Sequence, residues 1–118
     1  YGGPVSPDNL FYFHNLGNRI KGAKQLSDNL WTGGDFNEII SLINNREITA
    51  DNIRFFLGYS GWSKVQLSNE IESNSWIVSE FDQSNVISID QNLWQSILSK
   101  KGGKYKMVSN FPIDPTSN

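Results

Sequence analysis

Ile53-Arg54-Phe55-Phe56-Leu57-Gly58-Tyr59-Ser60-Gly61-Trp62-Ser63-Lys64-Val65-Gln66-Leu67 is the stretch on which the fold turns. Residues 53–57 form an apolar run with strong β preference, so a strand is expected there. Gly58 and Gly61 follow and permit backbone angles that other residues avoid, which predicts a tight turn. Ser63 then stands as a natural N-cap, with Gln66 three residues later as a capping-box partner. Trp62 before the cap and Leu67 at the fourth helical position have the spacing of a hydrophobic staple. A helix over residues 64–73 is therefore predicted.

Helix-starting chemistry alone accounts for Trp62, Ser63, Gln66 and Leu67. Two functional readings compete with it. The free N–H groups of residues 59–65 could hold an anion or another polar ligand, as helix N-termini do. Gly58-x-x-Gly61 is neither the dinucleotide fingerprint nor a P-loop, because no Gly-Lys-Ser/Thr follows. Alternatively, Ser60 could be a nucleophile on a strand-turn-helix elbow, with His14 as base. Trp62 occupies the last position of the required Gly-x-Ser-x-Gly, and His14 lies upstream rather than downstream.

Outward from the turn, the rest of the chain reads as alternating strands and helices. Residues 10–14 (Leu-Phe-Tyr-Phe-His) predict a strand placing His14 on the face of Tyr12, opposite Phe11 and Phe13. A histidine beside aromatics is more often a satisfied structural residue than a catalyst. Residues 15–22 read as a polar connection, and residues 25–32 as a strand weakened by Asp28 and Asn29 and ended by Gly33-Gly34. Asp35 with Glu38 is a capping-box variant opening a helix, with Phe36, Ile39, Ile40 and Ile43 on one face, fading near Asn44-Asn45. Strands are expected at 76–79 and 86–89. A third helix is expected from Asp90, burying Leu93, Trp94, Ile97 and Leu98 and ending at Gly102-Gly103. Residues 104–118 carry Tyr105, Met107, Val108 and Phe111, enough apolar surface for part of the segment to pack. Pro112 and Pro115 disfavour regular structure near the end.

Composition narrows the function classes. The 118 residues suit one domain and are 37% hydrophobic. The formal net charge of −2 offers no broad attraction to nucleic acid or anionic membrane. Lys100, Lys101, Lys104 and Lys106, with Tyr105 among them, are the one basic cluster that could contact nucleic acid. No cysteine exists, so disulfides, thiolate metal sites and cysteine nucleophiles are excluded, and the composition fits a reducing cytoplasm. One histidine cannot build a His/Cys zinc site, and no EF-hand loop is present, so no metal or cofactor is expected. The chain opens at Tyr1 without an initiator methionine, which points to a cut or processed product.

Residues 2–8 (Gly-Gly-Pro-Val-Ser-Pro-Asp), the run ending in His14, residues 56–62 with Gln66-Leu67 and Glu70-Ile71, Asn74-Ser75-Trp76, and Trp94 together resemble the bacterial AlgH/YqgE family over nearly the whole chain. Ser60 stands where that family's pattern more often has alanine, and Lys64-Val65 replaces a pair rich in glycine and proline. The resemblance implies an α+β fold with a bent, mainly antiparallel sheet and about three helices. It also implies that the chain is a C-terminal portion, lacking a segment that supplies further strands. An open edge of that kind recruits another chain, so self-association is expected. The family label, transcriptional regulator, implies a cytoplasmic, non-enzymatic regulatory or binding protein. The candidate ligand-binding residues are Gly2, Gly3, Pro4, His14, Gly58, Tyr59, Ser60, Gly61 and Trp62. Direct nucleic-acid binding and a small-molecule hydrolase using Ser60 and His14 are the alternatives.

Overall fold

The computed structural model describes residues 1–80 and 82–111. These fall into two compact units, residues 1–77 with 82–88 and residues 78–80 with 89–111. The first unit is built on a four-stranded sheet of order β2-β3-β1-β4, antiparallel at every pairing, so the expected α+β class holds. β1 spans Val5–His14 and pairs with β4, Ile53–Tyr59, through a register shift between Val5 and Leu10.

The stretch 25–32 is not one weakened strand but a hairpin. β2 (Lys24–Ser27) and β3 (Leu30–Thr32) are joined at Asp28-Asn29, with Ser27 opposite Leu30. The two polar residues that weaken a strand are suited to a two-residue turn. Residues 15–22 also differ from expectation. They contain a 3-10 turn, Gly17–Arg19, and Leu16 and Ile20 on either side of it are buried. Together with Ile39, Ile48 and Ile53 they form the core, against which Tyr12, Ala23 and Leu42 pack.

Asp35 caps α1 (Phe36–Asn44), its side chain accepting from the N–H groups of Asn37 and Glu38. Glu38 does not close the capping box. Its carboxylate accepts from the Lys21 N–H at 3.0 Å, while the Asp35 N–H donates to the Lys21 carbonyl at 2.8 Å. The helix is thereby tied to the loop before β2. Of the expected apolar stripe only Ile39 is buried; Phe36, Ile40 and Ile43 are exposed.

The helix after the glycine turn, α2 (Lys64–Glu72), starts and stops as expected. Two predicted strands do not form. Residues 76–79 carry no strand, because the Trp76 indole is bonded to Glu70 of α2 and holds the chain beside the helix. Residues 86–89 lie in and after a single helical turn, α3 (Ser84–Ile87), started by the Asp82 carboxylate accepting from the Ser84 N–H and hydroxyl at 3.0 and 2.8 Å.

In the second unit, α4 (Leu93–Lys101) begins three residues beyond Asp90, whose carboxylate instead accepts from the Asn92 N–H at 2.8 Å. Leu98 is buried, whereas Trp94 is exposed. Gly102, at φ +71°, ends α4 and at once begins α5 (Gly103–Ser109), a helix that sequence patterning did not anticipate. The expectations for Pro112 and Pro115 lie outside the described residues. No described helix is long and apolar enough to cross a membrane.

Candidate functional site

The N-terminal segment and the glycine turn form one structure. The Asn15 N–H donates to the Asn52 carbonyl at 3.0 Å, which makes this pair a hydrogen-bonded one. Alternation along an antiparallel ladder then turns the backbone groups of Arg54 and Phe56 toward β1, and those of Phe55 and Leu57 away from it. The outward Leu57 carbonyl is taken by the Gly2 N–H at 2.8 Å. Val5, however, pairs with Tyr59 on the β1 side. The chain therefore crosses over β4 between Gly2 and Val5, with Pro4 exposed on the way.

That crossing needs three glycines. A Cβ on Gly2 would collide with the Gly58 carbonyl, one on Gly3 with Ser60 Oγ and the Tyr59 backbone, and one on Gly58 with the Gly3 carbonyl. Gly58 also sits at φ +71°. Gly61 differs, contrary to expectation. It lies outside the left-handed region, and an added Cβ would make only an ordinary contact, 3.6 Å from Tyr59 Cε2. Tyr59 stacks edge to face on Phe11 with ring centroids 5.6 Å apart, which gives it a packing role in the turn.

Next to the turn stands an exposed aromatic pair. Trp62 and Trp76 meet edge to face at 5.1 Å, and both indole N–H groups donate to Glu70 Oε2, at 3.2 and 2.8 Å. Gln66 Nε2 donates to the other carboxylate oxygen at 2.9 Å. Hydrogen bonding to the charged form, from Trp76 first, then Gln66 and Trp62, holds the Glu70 carboxyl below the usual glutamate range. Ser63 Oγ caps the Gln66 N–H at 3.1 Å as predicted, but the Gln66 side chain goes to Glu70 rather than back to the cap. Glu70 is the residue that sequence reasoning passed over. Its Gln66 contact at i, i+4 spacing was readable; the convergence of two tryptophans on it was not.

His14 does not join this group. It is fully buried, with Nε2 2.9 Å from the Gly33 carbonyl and Nδ1 accepting from the Leu16 N–H at 3.3 Å. The network is satisfied with the hydrogen on Nε2. His14 pairs with Ile53 at one end of β4, while Ser60 follows Tyr59 at the other, a separation of roughly 20 Å at 3.3 Å per residue. A nucleophile and its base must approach within about 3 Å, so these two do not form a dyad. The nine candidates thus divide: the crossing (Gly2, Gly3, Pro4, Gly58, Tyr59, Ser60), the adjoining surface (Gly61, Trp62), and His14 alone in the interior.

The core side of the sheet is only partly covered. Tyr12 packs its ring against Phe36 and Phe55, at 6.0 and 5.9 Å. Beyond it Leu10 pairs with Leu57. Leu10, Phe36, Phe55 and Leu57 are each about two-fifths exposed and form a continuous apolar patch beside the outward edge of β4. A polar cleft of about 280 Å³ lies elsewhere in this unit, lined by Asn15, Asn29, Asp51, Gln83, Ser84, Ile87 and Ser88, and includes none of the nine candidates.

Comparison with known proteins places the chain in a family and its fold among solved structures. Residues 1–106 match the family model described as AlgH-like. Proteins named UPF0301 from Cytophaga hutchinsonii and Bacteroides thetaiotaomicron are 41% and 43% identical over 99% of this chain, which covers 65% and 60% of their lengths. The chain thus spans about three-fifths of the curated relatives it matches. The solution structure of the AlgH protein from Pseudomonas aeruginosa superposes with a TM-score of 0.67 at 21% identity, over 96% of this chain and 59% of that one. A crystal structure of a Corynebacterium diphtheriae protein gives 0.68 at 22%, over 93% and 59%. This chain belongs to the AlgH-like, UPF0301 family.

Proposed function

We propose that this chain acts as a non-enzymatic regulatory protein of the cytoplasm, working by binding another polypeptide, and that a second copy of itself is the partner. The observation that carries the proposal is the apolar patch of Leu10, Phe36, Phe55 and Leu57 lying beside an outward strand edge. An exposed apolar strand edge is a template for pairing with another chain. The Phe55 backbone and the Leu57 N–H are turned to that edge, while the Gly2 N–H already occupies the Leu57 carbonyl and marks where an added strand must stop. A non-catalytic role is supported by the separation of Ser60 from His14 and by the engagement of both ring nitrogens of His14. The absence of cysteine suits a reducing compartment.

Sedimentation velocity over a wide concentration range tests the partner. A dimer that dissociates on dilution, and that Leu57→Lys shifts to monomer without loss of fold, is the expected result. A strictly monomeric mass at all concentrations overturns self-pairing.

A further inference from the structure

Positive charge in this acidic chain is concentrated in one place. In the first unit acidic residues outnumber basic ones by nine to six. In the second, Lys100, Lys101, Lys104 and Lys106 fall within seven residues, and no Asp or Glu occurs from Gln91 to Phe111. The fold tightens this cluster further. Gly102 and Gly103, at φ +71° and +56°, turn α4 straight into α5, so the last residues of one helix and the first of the next share a single corner. All four lysines are exposed there.

Two of the ammonium groups are held in place. Lys101 Nζ donates to the Val78 carbonyl at 2.7 Å. It also lies 5.0 Å from the centre of the Tyr105 ring, and Lys104 Nζ lies 5.2 Å from the same ring. Cation–π attraction at this distance offsets part of the repulsion between like charges. A cap on the α4 C-terminus explains one or two cations in its last turn. It does not explain Lys104, which lies in the first turn of α5, where the helix dipole disfavours cations, while Lys106 in the last turn suits that helix's own C-terminus. A corner that gathers four exposed ammonium groups, one of them at the unfavourable end of its helix, is suited to a polyanion.

We propose that the α4–α5 corner binds the phosphodiester backbone of nucleic acid, without reading base sequence. The lysines supply point charges for phosphates. A lipid surface is the less suitable polyanion. Interfacial insertion uses a continuous apolar stripe opposite the basic face, whereas the exposed Trp94, Met107 and Phe111 are spread over two helices of nine and seven residues and the segment after them. This site lies in the second unit and goes beyond the strand-pairing function proposed above.

Fluorescence anisotropy of a labelled DNA oligonucleotide, titrated with the 118-residue chain at several salt concentrations, tests it. The expected slope of log K against log salt is about −3 to −4 on duplex DNA, one counterion for each neutralised phosphate. Lys104→Glu with Lys106→Glu should weaken binding more than about tenfold and cut the slope by about 2. Lys104→Gln with Lys106→Gln gives the same direction with a smaller effect and guards against misfolding of the reversed variant. Lys24→Glu, in the first unit, should change nothing. Absence of binding at low salt overturns the proposal, as does a slope unchanged in both double variants. Binding to phosphatidylglycerol vesicles but not to the oligonucleotide overturns it in favour of a lipid surface.

Discussion

The Trp76 indole N–H donates to the Glu70 carboxylate at 2.8 Å, joining the end of one helix to the segment that follows it. The same oxygen accepts from Trp62, so the glycine turn, α2 and the chain beyond α2 are fastened at one carboxylate. These bonds need the charged form. Glu70 is held below the ordinary glutamate value, so its contribution to stability is complete above about pH 4.3 and is lost as pH falls through the lowered folded value. Wild type should therefore lose Tm below that pH more steeply than Glu70→Gln, whose amide offers one acceptor oxygen instead of two. Tryptophan emission followed across the same range should shift in wild type and stay flatter in the variant. Parallel acid profiles for the two proteins would refute the clamp.

The crossing over β4 separates two glycines that look alike in sequence. Gly58→Ala places a Cβ against the Gly3 carbonyl at a positive φ, and should cost at least about 1–2 kcal/mol. Gly61→Ala meets only an ordinary contact and should be neutral or stabilising by up to about 1 kcal/mol. Urea unfolding of both variants measures the difference. Equal losses would mean that Gly61 serves a backbone conformation after all.

Much of this architecture was legible in the chain. Residues 53–57, Ser63 and Asp35 announced a strand and two capped helices, because local chemistry alone settles those choices. The failures turn on tight turns and side-chain partners that strand and helix propensity do not show. Residues 76–79 read as a strand by propensity, but Trp76 had a carboxylate partner six residues upstream. Leu16 and Ile20 were hidden in a polar stretch and became core only because a 3-10 turn set them on one side. Of the candidate residues, Gly2 and Gly3 do lie against Gly58 and its neighbours. His14 was drawn to them by motif order, and strand register sends it to the opposite end of β4.

Tyr12 reports on the joint between β1 and the loop before α1. Its hydroxyl donates to the Gly34 carbonyl at 2.6 Å. Burial first, and the nearby Asp35 charge second, raise its pKa above the ordinary tyrosine value. The stabilisation is fully present below about pH 10 and is lost as pH rises through the raised folded value. Tyr12→Phe should cost about 1 kcal/mol near neutrality and remove part of the alkaline loss, which thermal melts across that range would show.

The interior position of His14 gives the sharpest contrast between structure and chemistry. His14→Leu fills a similar volume but leaves the Leu16 N–H and the Gly33 carbonyl without their partner. Each buried, unpaired group costs about 1–3 kcal/mol, so a loss of at least about 2 kcal/mol is expected. Ser60 lies on the surface, and Ser60→Ala should change stability by less than about 0.5 kcal/mol. Chemical unfolding of the two variants tests this directly. A large effect of Ser60→Ala beside a small one of His14→Leu would reverse the assignment of the two positions.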